Sequence, residues 1–104
     1  MSLVHLVCFK YAAGVSVEAQ NDHRARLTAL NDIDGIASFK VGADVVRSPR
    51  SYDTGLAITF VDPKCRDTYL SHPDHEKVKQ MIILELDGGL DGVIAFDWLC
   101  PTQP

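Results

Sequence analysis

The chain repeatedly places histidine where the surrounding pattern is apolar. Of its four histidines, His5 falls on the strand face that carries Leu3, Val7 and Phe9. His23 shares a helical stripe with Ala19, Leu27 and Leu30, and His75 shares another with Val78, Ile82 and Leu86. Tyr69 lies one turn from Cys65, and Asp97 alternates with Val93, Ala95 and Leu99. Imidazole titrates near pH ~6.5 and suits general acid–base work. A carboxylate beside it fixes its tautomer and stabilises its charged form. A phenol can donate to an oxyanion or position a carbonyl. One histidine on an apolar face is more often a hydrogen-bonded core residue than a catalyst. Three of them, with Tyr69 and Asp97, point to one pocket if their faces all look into the layer between sheet and helices. No serine or cysteine elbow accompanies them, so covalent acyl chemistry is not expected. His5, His23 and His75 show no HxH or HExxH spacing, so a metal site is not expected.

The elements that must position these groups follow from periodicity. Leu3–Tyr11 alternates as a strand. Ser16 offers an N-cap to a helix from Val17 to about Asn31. Ile36–Val46 reads as a second strand, with a bulge expected at Gly42. A loop at 47–51, containing Pro49, leads to a third strand, Tyr52–Val61. Asp62-Pro63 is a strong helix start, and that helix runs to about Leu70. Ser71-His72-Pro73 breaks it, because the residue before proline avoids the α region. Pro73 opens another helix with Asp74 and Glu76 in its first turn, where the dipole favours anions. Gly88-Gly89 stops it, and Val93–Leu99 is the last strand. Strand, helix, two strands, broken helix, strand is the order of an α+β ferredoxin-like domain: a four-stranded antiparallel sheet with helices on one face.

With 104 residues the chain is expected to be one such domain over 1–104. The net charge is −4 and the ten basic residues are scattered. A phosphate-backbone binder needs a concentrated basic face, so nucleic acid is not an expected partner. The longest apolar runs fall far short of the ~20 residues that span a bilayer, so no membrane is expected either. Three widely spaced cysteines, Cys8, Cys65 and Cys100, fit a reduced, cytoplasmic protein.

Helices over one face leave the other bare. Ile94, Phe96, Trp98 and Cys100 on the last strand, with Leu6 and Cys8 on the first, would face solvent in a single copy. A patch of that size marks an interface. Pairing two copies through the sheet is the simplest cover, so a homodimer is expected.

The segments VHLVCFK, GIASFKVGAD, TGLAITFVDP, YLSHPDHEKV and the closing IAFDW together resemble the stress-responsive dimeric α/β-barrel (Dabb) family. The likeness covers nearly the whole chain, and Tyr-x-x-His-Pro-x-His with an early strand histidine is its most specific part. The family includes plant stress proteins and olivetolic acid cyclase, which closes a polyketide by a metal-independent aldol condensation. The resemblance implies that Tyr69 positions substrate, His75 is the general base, Asp97 orients that base, and His5 is the strand histidine of the pocket. His72 matches the motif's first histidine. His23 stands where the cyclase has an aromatic pocket residue, so this helix stripe is smaller and more polar and would serve a long alkyl tail poorly.

The resulting expectation is a cofactor-independent lyase or cyclase acting on a small apolar or keto-containing ligand. His75, Tyr69 and Asp97 would be catalytic, and His5, His23, Leu27, His72 and Val78 would hold the substrate. The alternative is a non-catalytic stress-response or ligand-binding scaffold.

Overall fold

A computed structural model describes residues 1–101; the last three positions of the expected 1–104 domain lie outside the described residues. The elements are β1 (Ser2–Phe9), α1 (Val17–Thr28), β2 (Ile36–Ala43), β3 (Thr54–Phe60), α2 (Pro63–Ser71), α3 (Pro73–Ile82) and β4 (Val93–Cys100). Short 3-10 turns follow α1 and α3 and precede β4. The sheet order is β2-β3-β1-β4, with every neighbouring pair antiparallel. This is the ferredoxin-like architecture the element order predicted.

The helix signals act as expected. Ser16 Oγ accepts from the Ala19 N–H at 3.1 Å, and Asp62 Oδ1 accepts from the Cys65 N–H at 2.9 Å with Pro63 in the first turn. These caps satisfy backbone donors that a helix start leaves unpaired. Gly35 permits the turn into β2. Its φ is +93°, and a Cβ there would stand 2.6 Å from the Cys65 Cβ, so only glycine lets α2 approach so closely.

Several details differ from expectation: α3 ends at Ile82, short of Gly88-Gly89, and β3 begins at Thr54 rather than Tyr52. The bulge in β2 lies between Ile36 and Ser38, while Gly42 pairs regularly with Gly55. β2 ends at Ala43, because the next residue turns the chain: Asp44 Oδ2 accepts from the Arg47 N–H at 2.6 Å and Arg47 adopts φ +56°. β1 stops at Phe9, leaving Tyr11 in an isolated bridge with Leu86 while its N–H donates to the Asp53 carboxylate at 2.8 Å.

Alternation in β1 and β3 puts Leu3, His5, Val7, Phe9, Thr54, Leu56, Ile58 and Phe60 on the buried face. Leu27, Leu30, Tyr69, Ile82 and Leu86 cover them from the helical layer. The opposite face carries Ile94, Phe96 and Trp98, which are 48%, 61% and 41% exposed. Burial is therefore one-sided, as the pattern of the terminal strands predicted. Among the described residues no helix is long and apolar enough to cross a membrane.

Candidate functional site

A cavity of about 200 Å³ lies between the inner face of the sheet and the helices. His5, His23, Tyr69 and His75 line it, with Val7, Leu27, Leu56, Val78, Ala95 and Ile82 among its apolar walls. The exposed lining residues Leu70, Lys79 and Leu90 mark the side on which it opens. A dry cavity of about 150 Å³ holds benzene, so this one suits a molecule of small aromatic size. The histidines that the sequence distributed over a strand and two helices do line one cavity.

β1 supplies His5, opposite Asp97 in the register of β1 with β4. The two side chains meet at 2.6 Å, His5 Nδ1 to Asp97 Oδ1. The second carboxylate oxygen, Oδ2, accepts from the Arg66 guanidinium on α2. Burial opposes ionisation of Asp97, but the hydrogen bonds from His5 and Arg66 outweigh it and hold the carboxyl below its ordinary range. An ionised carboxylate only accepts, so Nδ1 carries the ring proton and Nε2 of neutral His5 is left as an acceptor.

Tyr69 is 1% exposed. Its ring centroid stands 6.2 Å from His5 and 4.8 Å from His75. Burial raises its hydroxyl above the usual phenol range, so it stays a proton donor. Burial also lowers His75, against the opposing influence of the Leu70 carbonyl and Glu76. Its Nδ1 is buried with no partner among the described residues. His75 is thus a neutral imidazole beside a neutral phenol.

The far wall holds His23, 2% exposed and edge-on to Phe9 with ring centroids 4.8 Å apart. Its Nδ1 lies 2.8 Å from Tyr11 Oη. Tyr11 Oη is in turn 2.8 Å from Thr54 Oγ1, which receives an Arg24 N–H at the same distance.

Two expectations are corrected. Asp97 stands behind His5 rather than His75, because cross-strand register sets its partner while α3 approaches from the opposite layer. His72 does not line the cavity; its Nδ1 accepts the Asp74 N–H at 3.1 Å and caps α3. The tight turn into Pro73 commits that ring to the backbone. His5, His23, Leu27, Tyr69, His75 and Val78 do line the cavity, and Asp97 reaches it through His5.

The sequence reading missed Arg66, Tyr11, Thr54 and Arg24. A signal existed for Arg66: an acid on an inward strand face needs a cation, and Arg66 precedes Tyr69 by three residues, hence on a neighbouring helix face. Nothing local in the sequence shows that Arg24 on α1 reaches Thr54. Among the described residues no group of three or more His, Cys, Asp or Glu is arranged to hold a metal ion.

The stress responsive A/B barrel domain family matches residues 3–100 of the chain. No curated protein matches it. Solved structures share the fold. A dimeric ferredoxin-like protein of unknown function from Thermobifida fusca superposes with a TM-score of 0.84 at 20% identity, covering 96% of this chain and 92% of that one. A second dimeric ferredoxin-like protein of unknown function, from Jannaschia sp. CCS1, gives 0.82 at 25% identity over 96% and 100%. A hydroxynitrile lyase from Passiflora edulis gives 0.78 at 15% identity over 99% and 97%.

Proposed function

Because the chain belongs to the stress responsive A/B barrel domain family, we propose that it works as a homodimeric, single-domain protein whose cavity catalyses cofactor-independent proton transfer next to a carbonyl. The observation that carries this reading is the His5–Asp97 pair: a buried imidazole with its tautomer set by a carboxylate, facing a cavity that also holds a neutral phenol.

In this reading a small, largely apolar carbonyl compound enters past Leu70 and Lys79. His5 Nε2 takes the proton from the carbon α to the carbonyl. The bonding pair moves onto the carbonyl oxygen as an enolate, and the Tyr69 hydroxyl donates a hydrogen bond to that oxygen. Asp97 stabilises the imidazolium that forms. The His5 imidazolium, once its N–H has exchanged with solvent, returns a proton to the α-carbon as the enolate collapses to the carbonyl; neutral His75, with its ring centroid 4.8 Å from that of Tyr69, orients the phenol. The family resemblance implies His75 as the base with Asp97 behind it; the carboxylate's position favours His5 for that role. The likeness to a hydroxynitrile lyase supports the fold as a setting for lyase chemistry. The free thiols of Cys8, Cys65 and Cys100 fit a cytoplasmic setting.

The largely apolar lining favours a second reading, a scaffold that holds a small ligand without turning it over. Exchange of the methyl protons of acetophenone for deuterium in D₂O, followed by NMR, separates the two. The catalytic reading expects acceleration by the protein, lost by about 10²-fold or more in His5→Ala and Tyr69→Phe. No acceleration, or full acceleration in a folded His5→Ala protein, rejects it.

A further inference from the structure

The hydrogen bonds around His23 have a direction. Arginine can only donate, so Thr54 Oγ1 accepts from Arg24 Nη1. Thr54 is 1% exposed, and its hydroxyl proton has an acceptor in Tyr11 Oη, 2.8 Å away. Tyr11 then spends its own proton on His23 Nδ1, also at 2.8 Å. The reverse order would leave the Thr54 proton without a partner in a dry interior, which costs roughly 1–3 kcal/mol. The chain Arg24, Thr54, Tyr11, His23 therefore fills Nδ1 with an incoming proton and puts the ring proton of neutral His23 on Nε2. That Nε2 is buried and has no partner among the described residues.

Buried donors without acceptors are rare and call for a cause. Here a costed arrangement, three side chains from β3, the β1 extension and α1, orients a donor that the folded protein does not use. His23 stands with Val78 and Ile82 in the wall shared by the main cavity and a smaller one of about 180 Å³ between α1 and α3. Val78 and Ile82 are aliphatic side chains on α3 and offer Nε2 no acceptor.

We propose that His23 Nε2–H is a specificity site for a neutral acceptor oxygen, a ketone or ester carbonyl, on a ligand whose body lies in the apolar cavity. This deepens the catalytic reading above and rests on it for the claim that the ligand is a substrate. The site is separate from the His5 end: Phe9, against which His23 packs, lies four residues along β1 from His5, roughly 13 Å of strand. The ligand class is accordingly a small apolar molecule with a carbonyl remote from its reacting carbon. A carboxylate is disfavoured, since His23 is kept neutral by burial and by Arg24 and offers no charge to offset a buried anion. A site built to hydrogen-bond an oxygen rejects an analogue that lacks it more strongly than an apolar pocket rejects a change of size.

The test uses the whole protein with 1,4-diacetylbenzene, which carries a second carbonyl remote from its reacting methyl, and 4-ethylacetophenone, which lacks it. Long-range ¹H–¹⁵N spectra of the imidazoles should show His23 as the Nε2–H tautomer, and the diketone, not 4-ethylacetophenone, should shift that resonance. The ratio of diketone to 4-ethylacetophenone affinity should fall about tenfold in His23→Phe and stay within twofold in Lys77→Ala, at an exposed position outside the cavity. If His23→Phe does not fold, Tyr11→Phe, which releases Nδ1, should lower the ratio in the same direction. An Nδ1–H tautomer, or an unchanged ratio in a folded variant, overturns the proposal. These readouts do not depend on turnover: loss of deuterium exchange in the wild type would sink the catalytic reading and leave the His23 site standing.

Discussion

His5 and Asp97 face each other across β1 and β4, and a single 2.6 Å hydrogen bond joins the strand histidine to the acid of the edge strand. Arg66 holds the other carboxylate oxygen from α2, so the acid is fixed from both the sheet and the helical layer. Asp97→Asn keeps the shape but removes the charge that would stabilise a protonated His5. The expected result is a loss of about 10²-fold in acetophenone deuterium exchange with the far-ultraviolet spectrum unchanged. Exchange at the wild-type rate would show that Asp97 is structural only.

His23 should make folding sensitive to mild acid. Burial, helped by Arg24, lowers it from 6.5 to about 4. Below pH 6.5 the unfolded chain takes up a proton that the folded chain refuses until about pH 4. Its contribution is therefore fully present above pH 6.5 and is lost progressively towards pH 4, on the order of 3 kcal/mol in all. His75, lowered by burial as well, adds loss in the same direction. Urea midpoints measured from pH 7.5 to pH 4 should fall steeply for the wild type and less so for His23→Phe. Parallel curves would remove His23 as the source.

The bare face of the sheet should be the dimer contact. Phe96 and Trp98 pack with their rings tilted, 5.5 Å between centroids, while remaining 61% and 41% exposed. Burying each large side chain in a partner contributes about 1.5–3 kcal/mol. Phe96→Asp puts a charge at the centre of that contact on both copies. Sedimentation velocity should report a dimer for the wild type and a monomer for the variant. A monomeric wild type would refute the assembly.

The apolar periods and the punctuating residues were enough to determine the fold. Alternation put Leu3, His5, Val7 and Phe9 on one face, Asp62-Pro63 and His72-Pro73 set the helix starts, and the one-sided helical cover left Ile94, Phe96 and Trp98 bare. These are local rules, readable within a few residues. The same periods placed His5, His23, Tyr69 and His75 in the layer where they meet. Which group answers which was decided only in three dimensions. Asp97 belongs to His5 through strand register, Arg66 reaches it from another layer, and Tyr11 with Thr54 and Arg24 orients His23 from three separate segments. Hydrogen-bond partners are chosen by distances of about 3 Å between residues up to 92 positions apart, and a periodicity that says which way a side chain points carries no information about what it will meet.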